Sequence, residues 1–336
     1  RQATGGGVSS SARGEGVGAG GGKSAERAIS KAGMAGMATG GSTNQPIQGS
    51  AVARAAGMVL AWDDFDGLSR LMPLRARVYP NGEADVNRFA AAGGPAFVFG
   101  ELIKAGLMHG DIVSVARGGM ADYAREPQLR DGKLVYLPGL ERSADEEVVR
   151  SVDNPFESQG GLRLLRGNLG KSLIKLSAVK PQYRTIEAPA VVVDAPQVLN
   201  KLHAGGLLPE HFVAVVRYQG PRANGMPELH SLAPLLGLLQ NQGRRVALVT
   251  DGRLSGASGK IPAAIHVTPE AARGGPLAKV REGDMIRLDG EAGTREVLVD
   301  AAEGAARSLV PNKAPAEQDL GRNRFAMNRR VGGPAV

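Results

Sequence analysis

Along the first half of the chain apolar residues recur every three or four positions, and along the second half they gather into short unbroken or alternating runs. The first rhythm predicts helices at Phe65–Met72, Val86–Ala92 and Phe97–Ala105, parted by proline and glycine breaks. Ahead of them, Ala- and Met-rich sequence flanks Thr39-Gly-Gly-Ser-Thr-Asn44, which predicts a helix, a glycine turn and a second helix through Ala51–Ala56. Residues 111–155 show no such period, are acidic near Glu141–Glu147, and are expected to be loop joining two domains.

After Pro155 the second rhythm takes over. Leu162–Leu165 and Leu173–Val179 are predicted strands around the turn Gly167–Gly170, Val191–Val193 adds a short one, and Met285–Leu288 with Val297–Val299 flank Asp289-Gly290 as a hairpin. Between them, Phe212–Gly259 reads as strand (Phe212–Arg217), glycine-rich loop (Gly220–Gly225), helix (Met226–Gln242), strand (Arg245–Thr250) and a second glycine-rich loop (Asp251–Lys260). If those strands are parallel neighbours, both loops leave the carboxyl edge of one sheet. The predicted class is α/β: part of an α/β domain over residues 26–150, a strand-rich domain over 151–300, a low-complexity, flexible lead over 1–25 and a divergent tail over 301–336.

Composition narrows the chemistry. The chain has 336 residues, 42% of them hydrophobic, enough for two cores. It has no cysteine, which excludes disulfides, thiolate nucleophiles and cysteine-held zinc or iron–sulfur groups built by this polypeptide alone. No apolar run nears the roughly 18 residues that span a bilayer and no secretory pattern opens the chain, so a soluble cytoplasmic protein is expected. The net charge of +8 is dispersed and aromatics make up only 4%, which argues against nucleic acid and for small anionic substrates. Gly16–Ser24 ends like a phosphate loop, yet Val17 stands where that motif needs glycine. With Arg1 in first place, the chain is expected to be either a fragment or one whose start is ill determined.

Candidate chemistry concentrates in the two loops. One carries Arg222, Asn224 and Glu228, the other Asp251, Arg253, Ser255, Ser258 and Lys260, a mixture suited to a polyhydroxylated anion. Gly252, Gly256 and Gly259 let backbone amides approach an oxyanion. Glu228 has two readings: a ligand for a hard cation such as Mg²⁺, or an acid complementing the dipole at a helix start. The turn Thr39–Asn44 likewise either holds an anion or caps a helix. His109, His203, His211, His230 and His266 include no pair at zinc spacing, and His266 reads as a satisfied core residue.

The stretch from Val246 through Thr250-Asp-Gly-Arg-Leu-Ser-Gly-Ala-Ser-Gly-Lys260 to Glu270 is very similar to the dihydroxy-acid dehydratase and phosphogluconate dehydratase family. Phe212–His230, Gly160–Val179, Leu74–Gly94 and the Thr-Gly-Gly-Ser-Thr-Asn turn agree, so the resemblance covers roughly residues 26–300, closest to the phosphogluconate branch. It implies an α/β N-terminal domain followed by a β-barrel-like C-terminal domain with flanking helices, and assembly as a homodimer. It further implies a hydro-lyase that dehydrates 6-phospho-D-gluconate in the Entner–Doudoroff pathway, with an iron–sulfur cluster as Lewis acid and a divalent metal such as Mg. By the same resemblance Ser255 takes the substrate's C2 proton and Glu228 binds the metal. Arg222, Asn224, Arg253, Ser258 and Lys260 are the candidates for holding substrate. Departures are the absent cluster cysteines and the family histidines replaced by Gln45, Gln48, Arg88 and Ala90. Three readings follow: an incomplete dehydratase inactive alone, a non-catalytic module that binds a sugar-acid phosphate or mediates oligomerisation, or a dihydroxy-acid dehydratase.

Overall fold

The computed structural model describes residues 26–112, 114, 116, 118–255 and 259–312. The lead 1–25 with its phosphate-loop look-alike, Gly256, Ser258 and the tail from 313 lie outside the described residues. The chain divides into two compact units: residues up to Gly41 with Gln48–Gly161, and Ser42–Ile47 with everything from Leu162.

The first unit is helical, as its rhythm predicts. Helices run over Glu26–Ala38 (α1), Gln45–Ala55 (α2, whose first residues belong to the second unit), Trp62–Leu71 (α3), Val86–Ala91 (α4) and Gly94–Lys104 (α5). In α3 the buried Trp62, Phe65 and Ser69 recur at three- and four-residue spacing while Asp63 and Arg70 face water. Asp85 caps α4 by accepting the N–H groups of Asn87 and Arg88. Arg75 is fully buried and donates to the carbonyls of Val98 and Arg150, and burial pulls its pKa down to about 10.

The loop expected over 111–155 contains instead a hairpin, Arg125–Arg130 (β1) with Lys133–Pro138 (β2). Asp131 and Gly132 turn it with φ of 51° and 72°, both positive, as a two-residue hairpin turn requires. The ribbon escapes a search for alternating burial because neither strand has a buried residue.

The second unit is built on an eight-stranded sheet. Its strands are Leu162–Leu165 (β3), Lys171–Lys175 (β4), Thr185–Val193 (β5), Phe212–Val216 (β6), Val246–Thr250 (β7), Ala263–Thr268 (β8), Met285–Asp289 (β9) and Thr294–Val297 (β10), in the order β10-β9-β5-β6-β7-β8-β4-β3. Strands β5 to β8 are parallel, and the flanking pairs are antiparallel. The two edges meet: Arg166 pairs with Thr294, with the Arg166 N–H on Gly293 O and the Arg295 N–H on Arg166 O. The expected barrel-like sheet is therefore present, nearly closed at this seam. Arg295 braces the seam from inside, fully buried and donating to Gly170 O, and its pKa falls to about 9 through burial.

Alternate residues of the central strands β5 to β8 serve two cores. Ile186, Ala188, Val213, Val215, Ala247, Val249, Ala264, Ile286 and Leu288 pack together on one face. Phe212, Ala214, Val216, Val246, Leu248 and Ile265 pack on the other against Leu199 of Pro196–Ala204 (α6) and Leu235, Leu236 and Leu239 of Ala233–Asn241 (α8). Burial on both faces explains the unbroken apolar runs of β6 and β7.

Several boundaries differ from expectation. Strand β5 starts six residues before Val191, because Pro189 sits where the strand changes partner from β9 to β6 and the missing N–H costs nothing there. Strand β4 ends earlier than predicted, β8 and α6 went unpredicted, and β10 lies three residues before Val297–Val299 although its hairpin with β9 stands. The predicted helix Met226–Gln242 is interrupted. A four-residue turn of helix, Pro221–Asn224 (α7), ends at Gly225 and Met226, with φ of 69° and 56°, and α8 starts only at Ala233. Two successive left-handed residues before Pro227 cannot continue a helix.

Among the described residues no helix is long and apolar enough to cross a membrane.

The seam makes a direct prediction. A Cβ at Gly167 would overlap Arg295 O, whereas one at Gly237, inside α8, meets nothing within 4 Å. Gly167→Val is expected to cost about 1–3 kcal/mol in urea unfolding. Gly237→Ala should stabilise by up to about 1 kcal/mol.

Candidate functional site

Strands β6 and β7 are parallel neighbours, with Phe212 opposite Val246 and Val216 opposite Thr250. Their following loops therefore leave the same edge, as expected, and there the chain segments 226–229 and 253–255 run side by side. Glu228 pairs with Arg253 in an isolated parallel bridge, Leu229 N–H donates to Arg253 O, and Arg253 Nε donates to Met226 O at 2.9 Å.

Glu228 stands at the centre of this ladder. Its Oε1 accepts the Ser255 N–H at 2.6 Å, and its Oε2 faces Asn44 Nδ2 at 3.4 Å and Arg253 Nη1 at 3.7 Å. Glu228 stands two residues before the 3-10 turn His230–Leu232 that leads into α8, so it lies outside the first helical turn in which the helix-dipole reading put it. The turn Thr39–Asn44 likewise does more than cap: Thr43 Oγ1 donates to Leu254 O at 2.5 Å, and Asn44 reaches Glu228.

The loop carrying Arg222 and Asn224 is fastened from below. Asp251, buried at the end of β7, accepts Gln219 N–H at 2.8 Å through Oδ1 and Ala271 N–H at 3.0 Å through Oδ2. Glu270, also buried, accepts the N–H groups of Arg222 and Ala223 at the start of α7, and any Cβ at Gly220 would run into it. Asn224 Nδ2 donates to Gln219 Oε1 at 3.1 Å, while Arg222 is exposed.

Burial pushes the Asp251 carboxyl up to about 6 against the opposing pull of its two N–H partners, and burial also raises Glu270. His266 is fully buried in β8, as its apolar setting predicts, and burial, then the Arg253 charge, lowers its pKa to about 3, so it is neutral near pH 7.

Thus Arg222, Asn224, Glu228, Asp251, Arg253 and Ser255 share one edge. Lys260 does not join them. Strand β8 pairs Ala263 with Leu248, which puts Lys260 level with Arg245 at the amino end of β7, and its carbonyl accepts Gln240 Nε2. Five residues of strand, at ~3.3 Å each, separate that level from Thr250. The connection from β7 runs back down the sheet before β8 starts, which loop membership alone does not disclose. Ser258 lies outside the described residues.

Gln219 and Glu270 were not read as site residues, and their only sequence signal was membership in the stretches that carry the family resemblance. Thr43 and Asn44 were read only as part of a turn that holds an anion or caps a helix, not as partners of Leu254 and Glu228. Of the replaced histidine positions, Arg88 is held in the first unit by Asp145 at 2.8 Å and Glu147 at 3.0 Å.

The chain's residues do not fit an iron–sulfur cluster, since none is a cysteine. For a divalent cation the fit is partial. Glu228 offers one carboxylate, and among the described residues no group of three His, Asp or Glu could hold an ion.

Comparison with known proteins places the chain in a family. The sequence model described as dihydroxy-acid/6-phosphogluconate dehydratase C-terminal matches residues 147–332, and the corresponding N-terminal one matches residues 24–123. The phosphogluconate dehydratase of Pseudomonas aeruginosa is 52% identical over 306 residues, 91% of this chain and 50% of that protein. That of Escherichia coli K12 is 51% identical over 294 residues, covering 87% and 49%. The dihydroxy-acid dehydratase of Metallosphaera sedula is 36% identical over 275 residues, covering 81% and 47%. The chain spans about half the length of these curated relatives.

Asp251 supplies a pH test. Its folded pKa of about 6 lies above the ordinary 3.8, so the folded state holds this proton more tightly and the group's contribution to stability falls as pH rises between those values. The stability difference between the unaltered chain and Asp251→Asn, from urea unfolding, should shift against the unaltered chain from pH 4 to 6 and stay level above. A shift in its favour over that window would contradict the assignment.

Proposed function

Because the chain belongs to the dihydroxy-acid/6-phosphogluconate dehydratase family, we propose that its second unit carries the sugar-acid side of a hydro-lyase site. The substrate is 6-phospho-D-gluconate and the product 2-dehydro-3-deoxy-6-phosphogluconate. The observation that supports this reading most is the ladder joining Glu228 to Ser255 and Arg253, with Arg222 and Asn224 on the neighbouring loop. The higher identity to phosphogluconate dehydratases than to the dihydroxy-acid dehydratase favours the phosphorylated substrate.

In this reading Ser255, as its alkoxide, takes the C2 proton, the C2–H electron pair forms the C2–C3 double bond, and the C3 hydroxyl leaves as water with the proton returned from the Ser255 hydroxyl, which regenerates the alkoxide. The resulting enol tautomerises to the 2-keto acid. Arg222 and Arg253 hold the carboxylate and phosphate through charge-assisted hydrogen bonds, and Asn224 bonds a hydroxyl. Glu228 orients Ser255 through its backbone and offers one oxygen to a divalent cation, which when bound would neutralise substrate charge. A cytoplasmic setting and pairing of two copies accompany the proposal.

The second reading is favoured by the missing thiolates: this chain by itself binds the sugar-acid phosphate and does not turn it over.

Two outcomes are expected. Titration with 6-phosphogluconate, followed by calorimetry and amide NMR, should show binding that perturbs Ser255 and Asn224, and Arg222→Ala should weaken it roughly ten- to hundredfold, as loss of a charged hydrogen bond does. No binding at millimolar ligand would remove the reading. After anaerobic iron–sulfide reconstitution with Mg²⁺, the purified chain should form no 2-keto product, whereas product formation would show that a cysteine-free site suffices.

A further inference from the structure

The peptide group between Leu254 and Ser255 is gripped at both ends. Its carbonyl oxygen accepts Thr43 Oγ1 at 2.5 Å, and its N–H donates to Glu228 Oε1 at 2.6 Å. A peptide is planar, so hydrogen bonds at its two opposite edges fix the orientation of that plane, and with it the N–Cα bond from which the Ser255 side chain is carried.

Thr43 is buried at 6% exposure and lies 211 residues from Leu254 in sequence. Its neighbour Asn44 donates to the second oxygen of the same carboxylate, and the Asn44 N–H rests on Ser42 Oγ at 3.2 Å, which braces the turn itself. Leu254, 3% exposed, anchors the other end in the apolar layer with Leu229 and Leu232. Ser42–Ile47 accordingly belong to the second unit, although the residues on either side belong to the first.

We propose that Thr43 is a positioning residue for Ser255, holding the Leu254–Ser255 peptide so that the serine hydroxyl is aimed, with Asn44 steadying Glu228 as the second strut. This rests on the reading of Ser255 as proton acceptor, but its geometric content is separately measurable.

The test uses amide hydrogen exchange of the 336-residue chain, read at Ser255 and at Val215 in β6. Thr43→Val keeps the shape and removes the hydroxyl, leaving Leu254 O without its donor. It should speed exchange at Ser255 roughly five- to tenfold, the effect of one lost hydrogen bond, with Val215 unchanged. Thr43→Ser, which restores the hydroxyl, should return the Ser255 rate to that of the unaltered chain. Asn44→Leu attacks the other strut and should speed the same amide even if Thr43→Val proves too unstable to measure.

An unchanged Ser255 rate in Thr43→Val and Asn44→Leu overturns the proposal. So does a Thr43→Ser rate equal to that of Thr43→Val, or acceleration of Ser255 and Val215 together. Titration of the unaltered chain with 6-phosphogluconate separates the two readings. Absence of binding beside the expected exchange pattern removes the dehydratase assignment and leaves the clamp standing. Binding without the exchange pattern does the reverse.

Discussion

Strands β6 and β7 lie side by side, parallel and covered on both faces, and the placement of the candidate site depends on that pairing. Val213, Val215, Ala247 and Val249 face one core while Phe212, Val216, Val246 and Leu248 face the other, so neither strand can slip by one residue without exchanging two buried layers. Parallel order then sends both following loops to one edge. The ladder between Glu228 and Arg253 extends the pairing beyond the strands themselves and brings Ser255 to the carboxylate.

What that edge needs is backbone support, since the glycine-rich loops have few side chains to pack. Buried carboxylates supply it. Asp251 and Glu270 between them accept N–H groups from Gln219, Arg222, Ala223 and Ala271, and the loss of hydration that raises both pKa values is partly offset by those bonds. Their work is to hold the chain that presents Arg222 and Asn224. The bridge between Arg166 and Thr294 brings the two end strands of the sheet together and nearly closes it around the strands from which the loops emerge.

Much of the frame was legible in the residue pattern. The helices of the first unit, β3, β6, β7 and the hairpin of β9 with β10 follow from periodicity, and the two loops were identified as the place where polar side chains gather. The misses have definable causes. Only Val191–Val193 of β5 was read as strand, and the change of partner at Pro189 that lets the strand begin at Thr185 is a property of the sheet. The helix expected from Met226 ignored two successive left-handed residues, which local sequence marks only by Gly225 and Pro227. The ribbon of β1 and β2 buries no residue and so leaves no trace in an apolar pattern.

By itself the sequence determined the order strand, loop, helix, strand, loop, the candidates Ser255, Glu228, Arg222, Asn224 and Arg253, and the absence of any thiolate, because each depends on residue type and on short-range order along the chain. Tertiary structure alone decided that Lys260 sits at the opposite end of β7, that Asp251 and Glu270 lie beneath the loops, and that Thr43 reaches Leu254 across 211 residues. Those facts depend on which backbone groups a nearly closed sheet leaves facing one another, and spacing along a chain does not encode distance across a fold.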